Sequence, residues 1–153
     1  MAHSIDEIDR RILRALQGDA SDSIDTLAEK AGMSRNACWR RVKLLEEAGI
    51  IRRRVALLDP EALGLGLLVL VLIRTKEHGT DWLEKFDRAV RSMPEIIGAY
   101  RMAGDLDYVL KVRVASVKDY DRFYQRLIAK VPLQDISASF VMDEIKETHE
   151  LPI

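Results

Sequence analysis

In the first fifty residues the apolar positions recur at helical spacing, and polar punctuation cuts them into three runs. Ser4 followed by Glu7 predicts a capping box for a first helix with Ile5, Ile8, Ile12, Leu13 and Leu16 inward and Gly18 as its stop. Ser23 predicts the cap of a second, short helix that turns Ile24, Leu27, Ala28 and Ala31 inward and ends at Gly32. Ser34 predicts the cap of a third, on which Cys38, Val42 and Leu45 fall within about 60° of one another before Gly49 terminates it. Residues 50–58 then read as an extended segment, a wing and the strand leading out, stopped by Asp59 and Pro60.

Past a hinge marked by Gly64 and Gly66 the pattern changes. A continuous Leu/Val run over residues 67–73 predicts a central strand. A helix over about 81–93 carries Leu83, Phe86, Val90 and Met93 inward and is closed by Pro94. Strands over 95–103 and 107–114 flank a tight turn containing Gly104 and Asp105. Ser116 with Asp119 caps a second helix bearing Tyr120, Phe123 and Leu127, and a last strand spans roughly 135–145. The order is βαββαβ, the ferredoxin-like arrangement, so the predicted fold class is α+β. Residues 1–52 form a three-helix winged helix-turn-helix, 53–64 a linker strand and hinge, and 65–153 the ferredoxin-like domain. Such a sheet has helices on one face only, and an isologous homodimer across its apolar free face is the economical way to cover the other.

The helix-turn-helix reading rests on Ala28, Gly32 and Ser34, a small residue, a turn glycine and a new cap, which permit a tight helix crossing. Opposite the Cys38, Val42 and Leu45 stripe lie Asn36, Trp39, Arg40 and Lys43, donors that suit base edges and phosphates in a major groove. A merely solvated face explains the two cations but leaves an exposed indole without purpose. Ser34 offers a hydroxyl and free backbone N–H groups to a phosphate, or serves as a plain cap. Arg41, at the edge of the buried stripe, fits a structural ion pair and DNA equally well, and Cys38 reads as a small core residue.

Net charge over the whole chain is -1 and carries no sign of nucleic acid. Locally the picture differs: residues 35–54 hold seven cations, among them Arg35, Arg52 and Arg54, against two acids, a net of +5. Residues 61–153 hold 13 cations and 15 acids, a net of -2, so a single segment carries the basic face. Of three successive arginines in an extended segment at most two share a side, and Arg52 and Arg54 are the candidates for phosphate contact.

Other chemistries are poorly supplied. The apolar run over 65–73 falls short of the ~20 residues a membrane helix needs, and the chain reads as cytoplasmic. With one cysteine and with His3, His78 and His149 far apart, neither a disulfide framework nor a metal site is indicated. Gly64 and Gly66 lack the third glycine of a dinucleotide fingerprint, so no cofactor is expected. No nucleophile elbow or paired His and carboxylate points to an enzyme. An amino-acid-sensing regulatory or oligomerisation subunit of a metabolic enzyme is the rival reading, because ferredoxin-like sheets also serve enzymes in that role.

In this order and spacing, IDEIDRRILRALQ, LAEKAGMSRNACWRRVKLLEEAGII, VALLDP and MAGDLDYVLKVRV make the chain resemble the Lrp/AsnC family of transcription regulators along nearly its whole length. ACWRRVKLLE, VALLDPEALGLG and YRMAGDLDYVL look most like a proteobacterial branch associated with cysteine desulfuration. The resemblance implies sequence-specific binding to double-stranded DNA, a dimer that assembles to tetramers or octamers, and a small amino-acid effector, with L-cysteine the candidate, held between subunits. Positions matching that effector site are Tyr100, Met102, Ala103, Gly104, Asp105, Ser137, Ser139 and Phe140. The sequence departs from many relatives at Arg52 to Arg54, where they carry a glycine and an aromatic residue. From the residues themselves, Asp105 can pair with an ammonium while turn N–H groups and serine hydroxyls take a carboxylate. Gly104 and Asp105 serve a plain hairpin turn equally well.

Overall fold

The computed structural model describes residues 4–77 and 79–153, so His3 and His78, two of the histidines weighed as metal ligands, lie outside the described residues. The chain divides into two units, one comprising the chain up to Leu57 together with Lys146–Ile153, the other Leu58–Ile145.

The first unit packs three helices, α1 (Glu7–Gly18), α2 (Ile24–Ala31) and α3 (Arg35–Glu47), around Ile12, Leu13, Leu27, Ala28, Ala31, Cys38, Val42 and Leu45. Ser23 and Ser34 cap α2 and α3 as expected, each accepting a backbone N–H from three residues on. Gly32 and Gly49 both take φ 71°, the left-handed conformation that ends a helix and that side chains with a Cβ resist. The start of α1 corrects the sequence reading. Its N-cap is Asp6, whose Oδ1 accepts the Asp9 N–H at 2.8 Å while Asp9 Oδ2 accepts the Asp6 N–H at 3.2 Å. As caps the two residues are about equal, but Asp6 also accepts a hydrogen bond from Arg41 of α3, so Ser4 is left outside the helix and Ile5 is exposed rather than inward.

The second correction concerns the segment after α3. Residues 52–58 form no strand, because no described residue offers them a ladder partner, and their side chains are exposed. At the far end of the chain, residues 146–153, grouped by sequence with the ferredoxin-like domain, make their contacts with the first unit. There the Gln17 side-chain amide clasps Leu151, donating to its carbonyl at 3.1 Å and accepting its N–H at 2.6 Å. Arg14 Nε donates to the Ile153 carbonyl at 2.6 Å, and the Ile153 side chain packs against the helical core.

The second unit contains β1 (Leu67–Arg74), α4 (Thr80–Ser92), β2 (Ile96–Arg101), β3 (Tyr108–Val114), α5 (Val117–Lys130) and β4 (Asp135–Phe140). All neighbours in the sheet are antiparallel, in the order β2-β3-β1-β4. Val69, Val71 and Ile73 of β1 and Tyr108, Leu110, Val112 and Val114 of β3 face the helices, meeting Phe86 and Ala89 of α4, Met93 at its C-cap, and Phe123 and Leu127 of α5. Trp82, which the sequence reading passed over for Leu83, is also buried: it stacks on Phe86 and donates from Nε1 to the Pro132 carbonyl at 2.9 Å. The last strand ends at Phe140, well short of residue 145. Among the described residues its only neighbour is β1, and once Val141 N has donated to the Leu68 carbonyl that strand has almost no residues left to pair.

Candidate functional site

On α3 the buried stripe and the polar stripe separate cleanly. Cys38, Val42 and Leu45 are at most 5% exposed, whereas Ser34, Arg35, Asn36, Trp39, Arg40 and Lys43 are all exposed, Trp39 at 52%. Lys43 Nζ lies 5.6 Å from the Trp39 ring centroid, within cation–π reach, so the indole and the ammonium form one amphipathic contact surface. Burial raises the Cys38 thiol above its ordinary pKa and keeps it protonated, in keeping with a core role.

Arg41 is decided by its partners. Its Nη1 donates to Asp9 Oδ1 at 2.7 Å and to Asp6 Oδ2 at 2.8 Å, tying α3 to the cap of α1. The Asp9 carboxylate is almost fully buried, so the guanidinium is engaged in neutralising it, and the structural half of the two readings holds. Hydrogen bonds from Arg41 to Asp9 and then Asp6 bind its proton more firmly, while the Asp9 N–H and then Arg41 pull the Asp6 carboxyl below its ordinary value.

The other arginines differ among themselves. Arg35 pairs with Asp25 at 3.1 Å and Arg54 with Glu46 at 3.2 Å, both at exposed positions where such pairs exchange readily with solvent or phosphate. Arg40 and Arg52 have no ion-pair partner among the described residues. Every predicted DNA-contact residue therefore belongs to the first unit, and six of the eight lie within ten consecutive residues of α3 and its cap.

The predicted effector residues are distributed otherwise. Tyr100 is on edge strand β2, and Met102, Ala103, Gly104 and Asp105 are in the exposed turn after it. Ser137, Ser139 and Phe140 are on the opposite edge strand, β4. Tyr100, Val109, Leu72 and Ser137 form one row across the free face, so Tyr100 and Ser137 stand three strand spacings apart, roughly 14 Å. Phe140 departs from the group: it pairs opposite Val69 on the helix side of the sheet, and its ring meets Tyr120 edge-on at 5.4 Å. Tyr100 lies over Gly98, where a Cβ would come within 3.0 Å of its Oη; glycine there lets the ring rest on its own strand.

Residues that the sequence did not single out hold the turn. Met102 N donates to the Asp107 carbonyl at 2.8 Å, Thr75 N to Asp107 Oδ2 at 2.8 Å, and Arg74 Nε to the Asp105 carbonyl at 2.8 Å. Arg74 also pairs with Asp135 at 3.2 Å. Gly104 has φ 128°, which glycine alone adopts readily, and the Asp105 carboxylate has no ion pair among the described residues. No local signal marks Arg74, because its neighbours come from strand order rather than from spacing.

Comparison with known proteins agrees with both halves. Residues 5–52 match the winged helix-turn-helix DNA-binding model, and residues 68–151 match the Lrp/AsnC ligand binding domain. The chain is 50% identical to the glutamate uptake regulatory protein of Zymomonas mobilis over 153 residues, 100% of this chain and 93% of that one. It is 48% identical to the DNA-binding transcriptional activator DecR of Escherichia coli, over 97% of this chain and 99% of that one. A crystal structure of an AsnC family transcriptional regulator from Agrobacterium tumefaciens matches with a TM-score of 0.94 at 48% identity, covering 97% of each chain. A transcriptional regulator from Neisseria meningitidis, solved in complex with L-methionine, matches with a TM-score of 0.93 at 34% identity and the same coverage. These relatives are transcription regulators and not enzymes, which removes the rival reading, and the chain belongs to the Lrp/AsnC family of DNA-binding transcription regulators.

Proposed function

We propose that the exposed face of α3 enters the major groove of an operator and that the second unit binds a small amino acid, with L-cysteine the leading candidate. The single observation that supports the DNA half best is the separation on α3 between Arg41, engaged with Asp6 and Asp9, and the outward group Trp39, Arg40 and Lys43. Ser34, Arg35, Asn36, Arg52 and Arg54 supply hydrogen bonds and charge to the flanking phosphates. No helix among the described residues is long and apolar enough to cross a membrane, in keeping with a regulator working in the cytoplasm.

The effector half is supported by geometry of a different kind. Tyr100, Met102, Ala103, Gly104 and Asp105 lie at one sheet edge and Ser137 and Ser139 at the other, too far apart to enclose a small ligand within one chain. Apposition of two free faces in a homodimer would bring one chain's turn to its partner's edge and close a pocket between subunits, and such dimers would assemble further to tetramers or octamers. The relative named for glutamate uptake and the neighbour bound to L-methionine supply the competing ligands.

The test is a salt-dependent DNA-binding titration on the promoter flanking the protein's own coding sequence, with and without millimolar L-cysteine. Tight, selective binding that weakens with salt and shifts with cysteine is the expected result; absence of selective binding overturns the DNA reading. Asp105→Ala is expected to abolish the effector response while leaving DNA affinity intact, and an unchanged response refutes its role.

A further inference from the structure

The residues proposed to hold the effector include an acid, Asp105, but no cation, although an α-amino acid carries both charges on adjacent atoms. Arg74 supplies the missing cation. It is the last residue of β1, on the free face of the sheet, in register with Asp135 and two positions from Leu72, which pairs with Ser137. Its guanidinium reaches the turn and the start of β4 at once: Nε donates to the backbone carbonyl of Asp105 at 2.8 Å, and Nη1 to Asp135 Oδ2 at 3.2 Å. Nη2 has no hydrogen-bond partner among the described residues, and the side chain is about half exposed (54%). The Asp105 carboxylate, carried by the residue whose carbonyl Arg74 holds, is not within ion-pair distance of that guanidinium. One anchored cation and one unpaired anion at the same turn are the complement of a zwitterion.

We infer that Arg74 binds the α-carboxylate of the effector, through the donors not used by Asp105, while the Asp105 carboxylate takes the ammonium. This rests on the effector reading above and extends it: the site selects the free amino acid against the amine lacking its carboxylate. The pairing with Asp135 lies at an exposed position, where a ligand carboxylate competes with it on favourable terms.

Calorimetric titration of the full chain with L-cysteine, L-methionine, L-glutamate and L-leucine, and with the decarboxylated amine of whichever binds tightest, tests this. In Arg74→Gln the amino acid is expected to bind at least tenfold more weakly while the amine binds as it does to the unmodified protein, so discrimination between the two collapses. Arg74→Lys, which keeps the charge, is expected to recover part of it. DNA affinity without effector should be unchanged in both variants. If Arg74→Gln binds the amino acid as tightly as the unmodified protein does, the inference is wrong. If it loses amino acid and amine alike, Arg74 is a brace for the turn and not a ligand contact. If the unmodified protein binds none of the four amino acids, the effector reading itself fails, and the Arg74 inference with it.

Discussion

The two units place their candidate chemistry by opposite means. In the first, the outward side chains of α3 follow one another at helical spacing, so the chain segment that makes the helix also makes the surface. In the second, Tyr100 and Ser137 share one face only because β3 and β1 lie between them, so the surface belongs to the sheet and to no segment of it. A helix can be read as a site from one stretch of sequence; a sheet edge becomes a site only when topology, and then a partner, is known.

Several substitutions put that contrast under strain. The largest expected effect is from Arg41→Met, which strands the buried Asp9 carboxylate without its cation and should destabilise the first unit by about 3 kcal/mol. Denaturant unfolding measures it, and adding Asp9→Asn should return part of the loss because the stranded charge is gone. Next is the double substitution of Trp39 and Lys43 by alanine. Loss of one good groove contact, about 1–3 kcal/mol, lowers operator affinity roughly 5- to 150-fold with oligomer mass unchanged, read by titration and light scattering. Gln17→Ala removes both hydrogen bonds of the Leu151 clasp and should cost the first unit about 1–2 kcal/mol in the same unfolding experiment, with amino-acid binding untouched.

The smallest effect is a pH dependence that treats the units alike. Asp6 in the first unit is held below the ordinary carboxyl value of 3.8 by the Asp9 N–H and Arg41, and Asp87 in the second by its hydrogen bonds from Arg91. Unfolded chains bind these protons more readily than the folded protein does. The stabilisation is therefore complete above that value and is lost as pH falls below it toward the folded pKa. Thermal unfolding at about pH 5 and about pH 3 should show both units weakened at the lower pH; a melt unchanged between them would mean these carboxylates are unpaired in solution.

What was legible in the sequence follows the same division. Ser23, Gly32 and Ser34 act on backbone groups within four residues, so caps and turn could be read directly, and with them the face of α3. Asp6 was overlooked as the cap because Ser4 and Glu7 also satisfy the local pattern, and the choice was made by Arg41, thirty-five residues away. The βαββαβ order was readable from changes of period, but Trp82 was not placed in the core, since stripes beginning at 82 and at 83 both suit a helix that shares Phe86 and Met93. Arg74 and Asp107 went unnoticed because their meaning lies in the strands beside them. The partners of Leu151 and Ile153 lie more than 130 residues away, and no spacing rule reaches so far.

That last contact has a consequence for how the protein is made. A ribosome releases α1, α2 and α3 first, yet the clasp by Gln17 and the hydrophobic contact of Ile153 become available only after the entire second unit has been synthesised. Nascent chains that stop short of Leu151 thus carry α1, α2 and α3 without the clasp and without the Ile153 contact, and are expected to unfold more readily than the chain that includes them.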